Sequence, residues 1–273
     1  MNTEIIESIT QYIDKVKSID FGTHAYSHYL WFRAENSKYE DTCLTPNLYR
    51  EYIQNPNDAS DFHKKDASIR GIFKNEAYQY LKEFDIVNND LGTTFIMQHY
   101  GSHTRLLDWT ENSLISLFFA VEDTNSKNNA LIWILDPFIL NSETTKIVNH
   151  NNTEELKLYA SIDIQQEVFN YFDMDMLHAN DEKIQYPIAL KPFYIDERMK
   201  RQSSCFTLFG CEINGLTKHP SKENFLKKII IPFQHFRQIK KDLYKLGFSY
   251  DSVYPGLEGI SKKIVYAINE SLT

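Results

Sequence analysis

The sequence predicts an α+β fold, a single mixed domain with a small, largely antiparallel sheet surrounded by helices. Short β-prone runs, above all Ala-Leu-Ile-Trp-Ile-Leu at 130–135, are separated by helical blocks of uneven length, which is not the regular alternation of a doubly wound sheet. No internal repeat, low-complexity tract or linker divides the 273 residues, so one domain over 1–273 is expected, with its core at about 28–265. With 42% hydrophobic residues, among them 17 Tyr and 18 Phe, the chain can fill one substantial core and line a pocket with aromatic faces.

Taken in order, Ile5, Ile6, Ile9, Tyr12, Ile13 and Val16 recur at helical spacing and predict an amphipathic N-terminal helix within 1–20. Residues 28–33 are short, aromatic and bounded by polar groups, which predicts a buried strand delivering Arg33 at its end. Helical patterns follow at 47–54, 62–84 and 91–99. Leu114, Ile115, Leu117, Phe118, Phe119 and Val121 are apolar on most faces and predict a buried helix, capped by Thr110 or Asn112, with Glu111 near the positive end of its dipole. The strand at 130–135 is stopped by Asp136 and Pro137. The interval 141–185, polar and Asn-rich at Asn149, Asn151 and Asn152, is read as an insertion or lid. Three more strands are expected at 186–195, 205–209 and 227–232, then a helix at 234–246 ended by Gly247 and a last helix at 256–271.

Charge and cysteine usage exclude several classes. A net charge of -8 argues against broad nucleic-acid binding. Cys43, Cys205 and Cys211 are odd in number and lack metal-ligand spacing, which predicts neither a disulfide framework nor a metal and favours a reducing, cytoplasmic setting. No run approaches the roughly eighteen apolar residues of a membrane span, and Glu4 and Glu7 stand where a signal peptide is basic and then apolar, so no membrane partner is expected.

The stretch 98–112 concentrates polar and aromatic groups: Gln98, His99, Tyr100, His103, Thr104, Arg105, Asp108, Trp109, Thr110, Glu111 and Asn112. Gly101 allows a turn that separates His99 from His103. Nucleophilic hydrolysis is disfavoured, because Ser102 beside His103 lacks a Gly-x-Ser-x-Gly elbow. The pairs His24/His28 and His99/His103 have helix-face spacing, but neither contains the Glu of a His-Glu-x-x-His site, so His99 is expected to orient the loop by hydrogen bonds. Asp108 and Glu111 read as helix-start caps, not as nuclease metal ligands. Arg105 and Asp108 either form a buried bidentate bridge under Trp109 or contact a ligand directly.

Gln98-His-Tyr-Gly, then Thr104-Arg-Leu-Leu-Asp-Trp-Thr110, then a helix with Phe118-Phe-Ala120 closely resembles the central motif of FRG domains, named for an aromatic-Arg-Gly signature. Trp31-Phe32-Arg33-Ala34-Glu35 matches that signature, with Ala34 in place of the glycine, and residues 44–50 follow at a suitable distance. Downstream, residues 198–207 resemble the family's Arg, Gln, small, Phe-Thr segment, and Tyr254-Pro-Gly-Leu-Glu-Gly259 its close. The resemblance implies a pocket built from Arg33, the 98–109 loop and the 198–207 segment. Its ligand-binding residues would be Gln98, His99, Tyr100, Thr104, Arg105, Asp108, Trp109, Arg198, Gln202, Ser204 and Phe206.

The order of Arg33, the hydroxyl-rich 203–207 segment and Glu258 or Glu212 is also similar to that of Arg-Ser-Glu type ADP-ribosyltransferases. The similarity implies NAD as a substrate and Arg33, Thr207 and Glu258 as catalytic residues. Arg33 would clamp diphosphate, and Glu258 would stabilise the oxocarbenium-like centre formed as the nicotinamide bond breaks. A macromolecular acceptor and a toxin or antiphage role would suit that chemistry. The alternative is a non-enzymatic sensor or binding module for a small anionic ligand or a protein partner. The two separate on whether Glu258 or Glu212 stands near Arg33.

Overall fold

A computed structural model describes residues 4–22, 24, 26–38, 43–54, 62–149 and 185–271. Its centre is a seven-stranded mixed sheet: β1 (Glu4–Ile5), β2 (Trp31–Asn36), β3 (Leu106–Thr110), β4 (Ala130–Leu135), β5 (Ile188–Leu190), β6 (Ser204–Leu208) and β7 (Leu226–Ile231). In space they lie in the order β1-β7-β4-β2-β3-β6-β5. Only β1 is parallel to its neighbour; every other pairing is antiparallel. The fold class is α+β, with a larger sheet than the sequence suggests. Strand β1 escapes the sequence pattern because two residues carry no periodicity, and Ile5 reads equally well as the start of a helix.

The helices are α1 (Ile9–Ser18), α2 (Asn47–Gln54), α3 (Phe62–Glu76), α4 (Tyr78–Glu83), α5 (Asp90–His99), α6 (Ser113–Ala120), α7 (Pro137–Asn149), α8 (Glu197–Arg201), α9 (Gly215–Lys218), α10 (Phe236–Lys245), α11 (Tyr250–Val253) and α12 (Gly256–Ser271). The pattern at 62–84 is broken at Ala77 into two helices. Residues 141–149, the start of the interval read as an insertion or lid, are helical. They belong to α7, where Asn141 donates to Ala189 O at 3.0 Å and accepts from Ala189 N at 2.6 Å, docking the helix on β5. The remainder of that interval, 150–184, lies outside the described residues. The strand expected at 186–195 contracts to Ile188–Leu190 because Pro187 and Pro192 bracket it and cannot donate to a ladder.

Strand β4 explains the layering. All six of its residues are buried. Leu131, Trp133 and Leu135 face one core with Leu48 and Tyr49 of α2 and Phe95 of α5. Ala130, Ile132 and Ile134 face the other with Tyr12 of α1, Phe118 of α6 and Ile239 of α10. A strand covered on both sides reads as a continuous apolar run, which is why ALIWIL does not alternate. Its burial is a large stabilising term, at about 1.5–3 kcal/mol for each large apolar side chain removed from water.

Two glycines set backbone paths near the candidate site. Gly101 takes φ +81° just past α5, turning the chain from helix towards β3. Gly259 lets α12 touch α11: a Cβ there would lie 1.9 Å from the Tyr254 carbonyl oxygen.

Candidate ligand-binding site

The family-like polar stretch is not one loop. It is the end of α5, the Gly101 turn and the whole of β3, and this geometry separates side chains that are adjacent in sequence. Strand β2 is zipped to β4 along its full length, from Trp31↔Leu135 to Asn36↔Ala130. It meets β3 at one pair, Phe32↔Thr110. Where the two strands part, a cavity of about 310 Å³ opens, with residues 32–34 on one wall and 108–110 on the other.

Arg33 spans the split. Its Nη1 donates to the Asp108 carbonyl oxygen at 2.8 Å and lies 4.0 Å from Asp108 Oδ2. Its Nε donates to Glu35 Oε1 at 2.8 Å, and Glu35 in turn accepts from Leu44 N. Two of the five guanidinium N–H donors are therefore used in these contacts, one of them tying β2 to β3. Gln98 performs a similar task from α5: it accepts from the Thr104 hydroxyl and donates to Asp108 Oδ2 at 2.8 Å. His99, also on the wall, pairs with Asp196, whose other oxygen caps α8 by accepting from Met199 N at 2.8 Å. The contact ties the end of α5 to the start of α8.

The opposite wall comes from α8 and β6. Gln202 lies there with its side chain donating to Val253 O at 3.3 Å and its own carbonyl accepting from the Thr110 hydroxyl at 2.6 Å. Ser204 and Phe206 follow on β6, with Phe206 stacked on Phe95 at 5.2 Å between centroids. Arg198 is different in kind. Its guanidinium sits 5.4 Å from the Tyr254 ring and makes no hydrogen bond or ion pair among the described residues. Tyr254 is fixed beneath it by donating to the Glu122 carboxylate at 3.0 Å, and burial pushes that phenol well above its ordinary pKa.

The structure thus brings together Arg33, Gln98, His99, Asp108 and Trp109 with Arg198, Gln202, Ser204 and Phe206. It does not bring Tyr100, Thr104, Arg105, Thr207 or Glu258 to this wall. Tyr100 is 68% exposed beyond the end of α5, and Thr104 is buried behind Gln98. The Arg105–Asp108 bridge, one of the two alternatives for this pair, does not form. In a strand, residues three apart point to opposite faces, so Asp108 faces the cavity while Arg105, 1% exposed, donates to Asp66 Oδ2 at 3.2 Å and to Phe209 O at 3.1 Å. Thr207 is buried in the sheet with its hydroxyl accepting from Trp109 Nε1 at 3.1 Å. Glu258 lies in the first turn of α12, paired with Lys262 Nζ at 2.9 Å, and that partner holds its carboxyl below the usual range. Glu212 likewise pairs with Lys218 and is not on the wall.

The FRG domain family model matches residues 28–129. This part of the chain is an FRG domain. The matched FRG segment supplies β2, α5, β3 and α6, hence one side of the cavity, while α8 and β6 lie beyond it. No curated protein and no solved structure matches the chain. Among the described residues no group of three or more His, Cys, Asp or Glu is arranged to hold a metal ion, and no helix is long and apolar enough to cross a membrane.

Sequence reasoning missed the part of the wall contributed by Phe32, Ala34, Thr110, Met199 and two residues of α6, Ser116 and Phe119. For Ser116 a signal existed. It is the one polar residue inside the apolar body of α6, after the opening Ser113.

Proposed function

We propose that the cavity beside β2 and β3 is a binding site for a small anionic ligand that also carries an apolar or aromatic part, of the nucleotide class. Arg198 is the observation that carries this reading: a cavity-lining guanidinium held over a tyrosine face that makes no hydrogen bond or ion pair among the described residues, with the Glu258 carboxylate acting on it only through space. A planar guanidinium so placed offers two or more donors to a phosphate at little ordering cost. Phe32, Phe119 and Phe206 give the remainder of the ligand apolar contact.

A binding module is better supported than NAD-dependent transfer. Transfer needs a carboxylate against the ribose, and Glu258 is on an outer helix engaged with Lys262, while the Thr207 hydroxyl is occupied by Trp109. The toxin or antiphage role would follow from the catalytic version alone. Calorimetric titration of NAD, ADP-ribose, nucleoside monophosphates and inorganic phosphate tests the reading. At least one phosphate-bearing member is expected to bind, and Arg198→Gln to weaken it about tenfold or more, the worth of a charge-assisted hydrogen bond. The same variant should leave unfolding stability within about 0.5 kcal/mol of wild type. Absence of binding to the folded protein across the whole panel overturns the reading. Nicotinamide release from NAD that Glu258→Gln abolishes would instead establish the transferase.

A further inference from the structure

Several buried polar side-chain atoms have no hydrogen-bond partner among the described residues: the Trp31 and Trp133 indole nitrogens and the hydroxyls of Thr93, Ser116, Tyr244 and Tyr266. Of these, only Ser116 belongs to the wall of the candidate site. It stands in the middle of α6, wholly buried, in a helix otherwise apolar over its length. A serine inside a helix ordinarily returns its hydroxyl to the carbonyl four residues earlier. Here the Asn112 carbonyl accepts from the Ser116 backbone N–H at 3.2 Å, and the side-chain oxygen is left without a partner. A buried hydroxyl in that state is destabilising, whereas alanine would fit the same space without the penalty. Phe119 lies one turn further along, on the same helix face, and lines the same cavity.

We infer that Ser116 reads a hydrogen-bonding atom on the ring of the bound ligand, with Phe119 against the ring and Arg198 on the phosphate, so that the ligand is a nucleoside monophosphate. This rests on the anion-binding reading above and adds to it the recognition of the base. Phe32 and Phe119 give the cavity apolar surface beside the Ser116 hydroxyl, and the cationic group stands on α8 across the Tyr254 ring that Phe119 also touches. A ligand with a flat heterocycle at one end and a phosphate at the other satisfies both ends. Ribose 5-phosphate satisfies only the second.

The experiment titrates the four common nucleoside monophosphates, ribose 5-phosphate and inorganic phosphate into wild type, Ser116→Ala and Ser116→Cys, with thermal unfolding of each free protein. At least one monophosphate is expected to bind wild type about tenfold more tightly than ribose 5-phosphate. Ser116→Ala is expected to lose about that factor for the monophosphate, to bind ribose 5-phosphate unchanged, and to unfold at a higher temperature than wild type. Ser116→Cys, which keeps the shape with a weaker donor, should fall between them. Equal monophosphate binding by wild type and both variants overturns the role of Ser116 while leaving the anion site standing. Ribose 5-phosphate binding as tightly as every monophosphate overturns base recognition. No binding of any phosphate compound to wild type overturns both readings.

Discussion

The two sides of strand β2 are built by opposite rules. Towards β4 it pairs at six consecutive residues, and the flanking side chains close two apolar cores. Towards β3 it pairs at one, and a side chain bridges the gap instead, Arg33 to the Asp108 carbonyl, while Gln98 of α5 ties Thr104 to Asp108 on the β3 side. The zipped side gains stability from every residue it buries. The split side forgoes ladder hydrogen bonds and obtains a polar, solvent-connected wall whose geometry depends on a few named groups. This domain makes its cavity by parting two strands of a sheet, not by hollowing a core.

The comparison can be broken most severely from beneath β3. Asp66, 2% exposed, is the shared partner of Arg70 and Arg105. Asp66→Ala strands buried positive charge and is expected to cost about 3–5 kcal/mol in urea unfolding. A cost under about 1 kcal/mol would mean that β3 does not depend on this network.

A smaller effect tests the zipped side, whose outer layer hides a lysine. Lys240 of α10 donates to Glu122 O at 2.6 Å and to the Tyr250 hydroxyl at 2.9 Å, with the Tyr266 ring 4.6 Å away. Burial pulls its pKa down to about 8, although the Glu122 and Asp123 carboxylates oppose the shift. The unfolded chain, with an ordinary lysine, then binds more protons than the folded one between about pH 8 and pH 10.4. Stability attributable to this residue therefore rises with pH across that window, by an amount on the order of 2 kcal/mol. The difference between wild type and Lys240→Met unfolding free energies, measured at pH 7.5 and pH 10, should show it. Ionisable groups that do not touch Lys240 are common to both proteins and cancel in the difference. A pH-independent difference refutes the assignment.

The smallest effect sharpens the comparison at the junction of the two sides. Asn112 caps α6 by accepting from Leu114 N at 3.0 Å and Ile115 N at 3.3 Å. Asn112→Ala should cost about 1 kcal/mol, and because α6 carries Ser116 and Phe119 it should also weaken ligand binding. Loss of stability with unchanged affinity would show that the helix start does not tune the wall.

How legible these features were in the sequence follows from the range of the interactions that make them. The apolar run at 130–135, the helix after Asn112 and the Gly247 stop are local, and periodicity with capping chemistry reveals them. The partner of Arg105 lies 39 residues away in α3, and nothing near Arg105 announces it. The assumption that 98–109 is one loop hid the strand in its second half. Alternation along β3 and the residue just before it is what sends Asp108 to the cavity and Arg105 away from it. The parting of β2 from β3 was invisible, since register between strands distant in sequence leaves no local trace. Arg33, Arg198 and the family-like blocks were legible as residue types, but their division into scaffold and uncommitted cation required coordinates.

Gly259 bears on all of this through a contact that has no side chain in it. Because α12 rests directly on the Tyr254 backbone, leaving no room for a Cβ, the helix cannot slide along its neighbour without collision. Tyr254 is the platform under Arg198, and Glu258 is the residue immediately before the glycine. The backbone path that carries Glu258 past the Tyr254 platform is thus set main chain to main chain, like the gap of a vernier. No change of rotamer in α12 can move its axis, so the charge balance at the mouth of the cavity is tied to the docking of a helix that itself lies outside it.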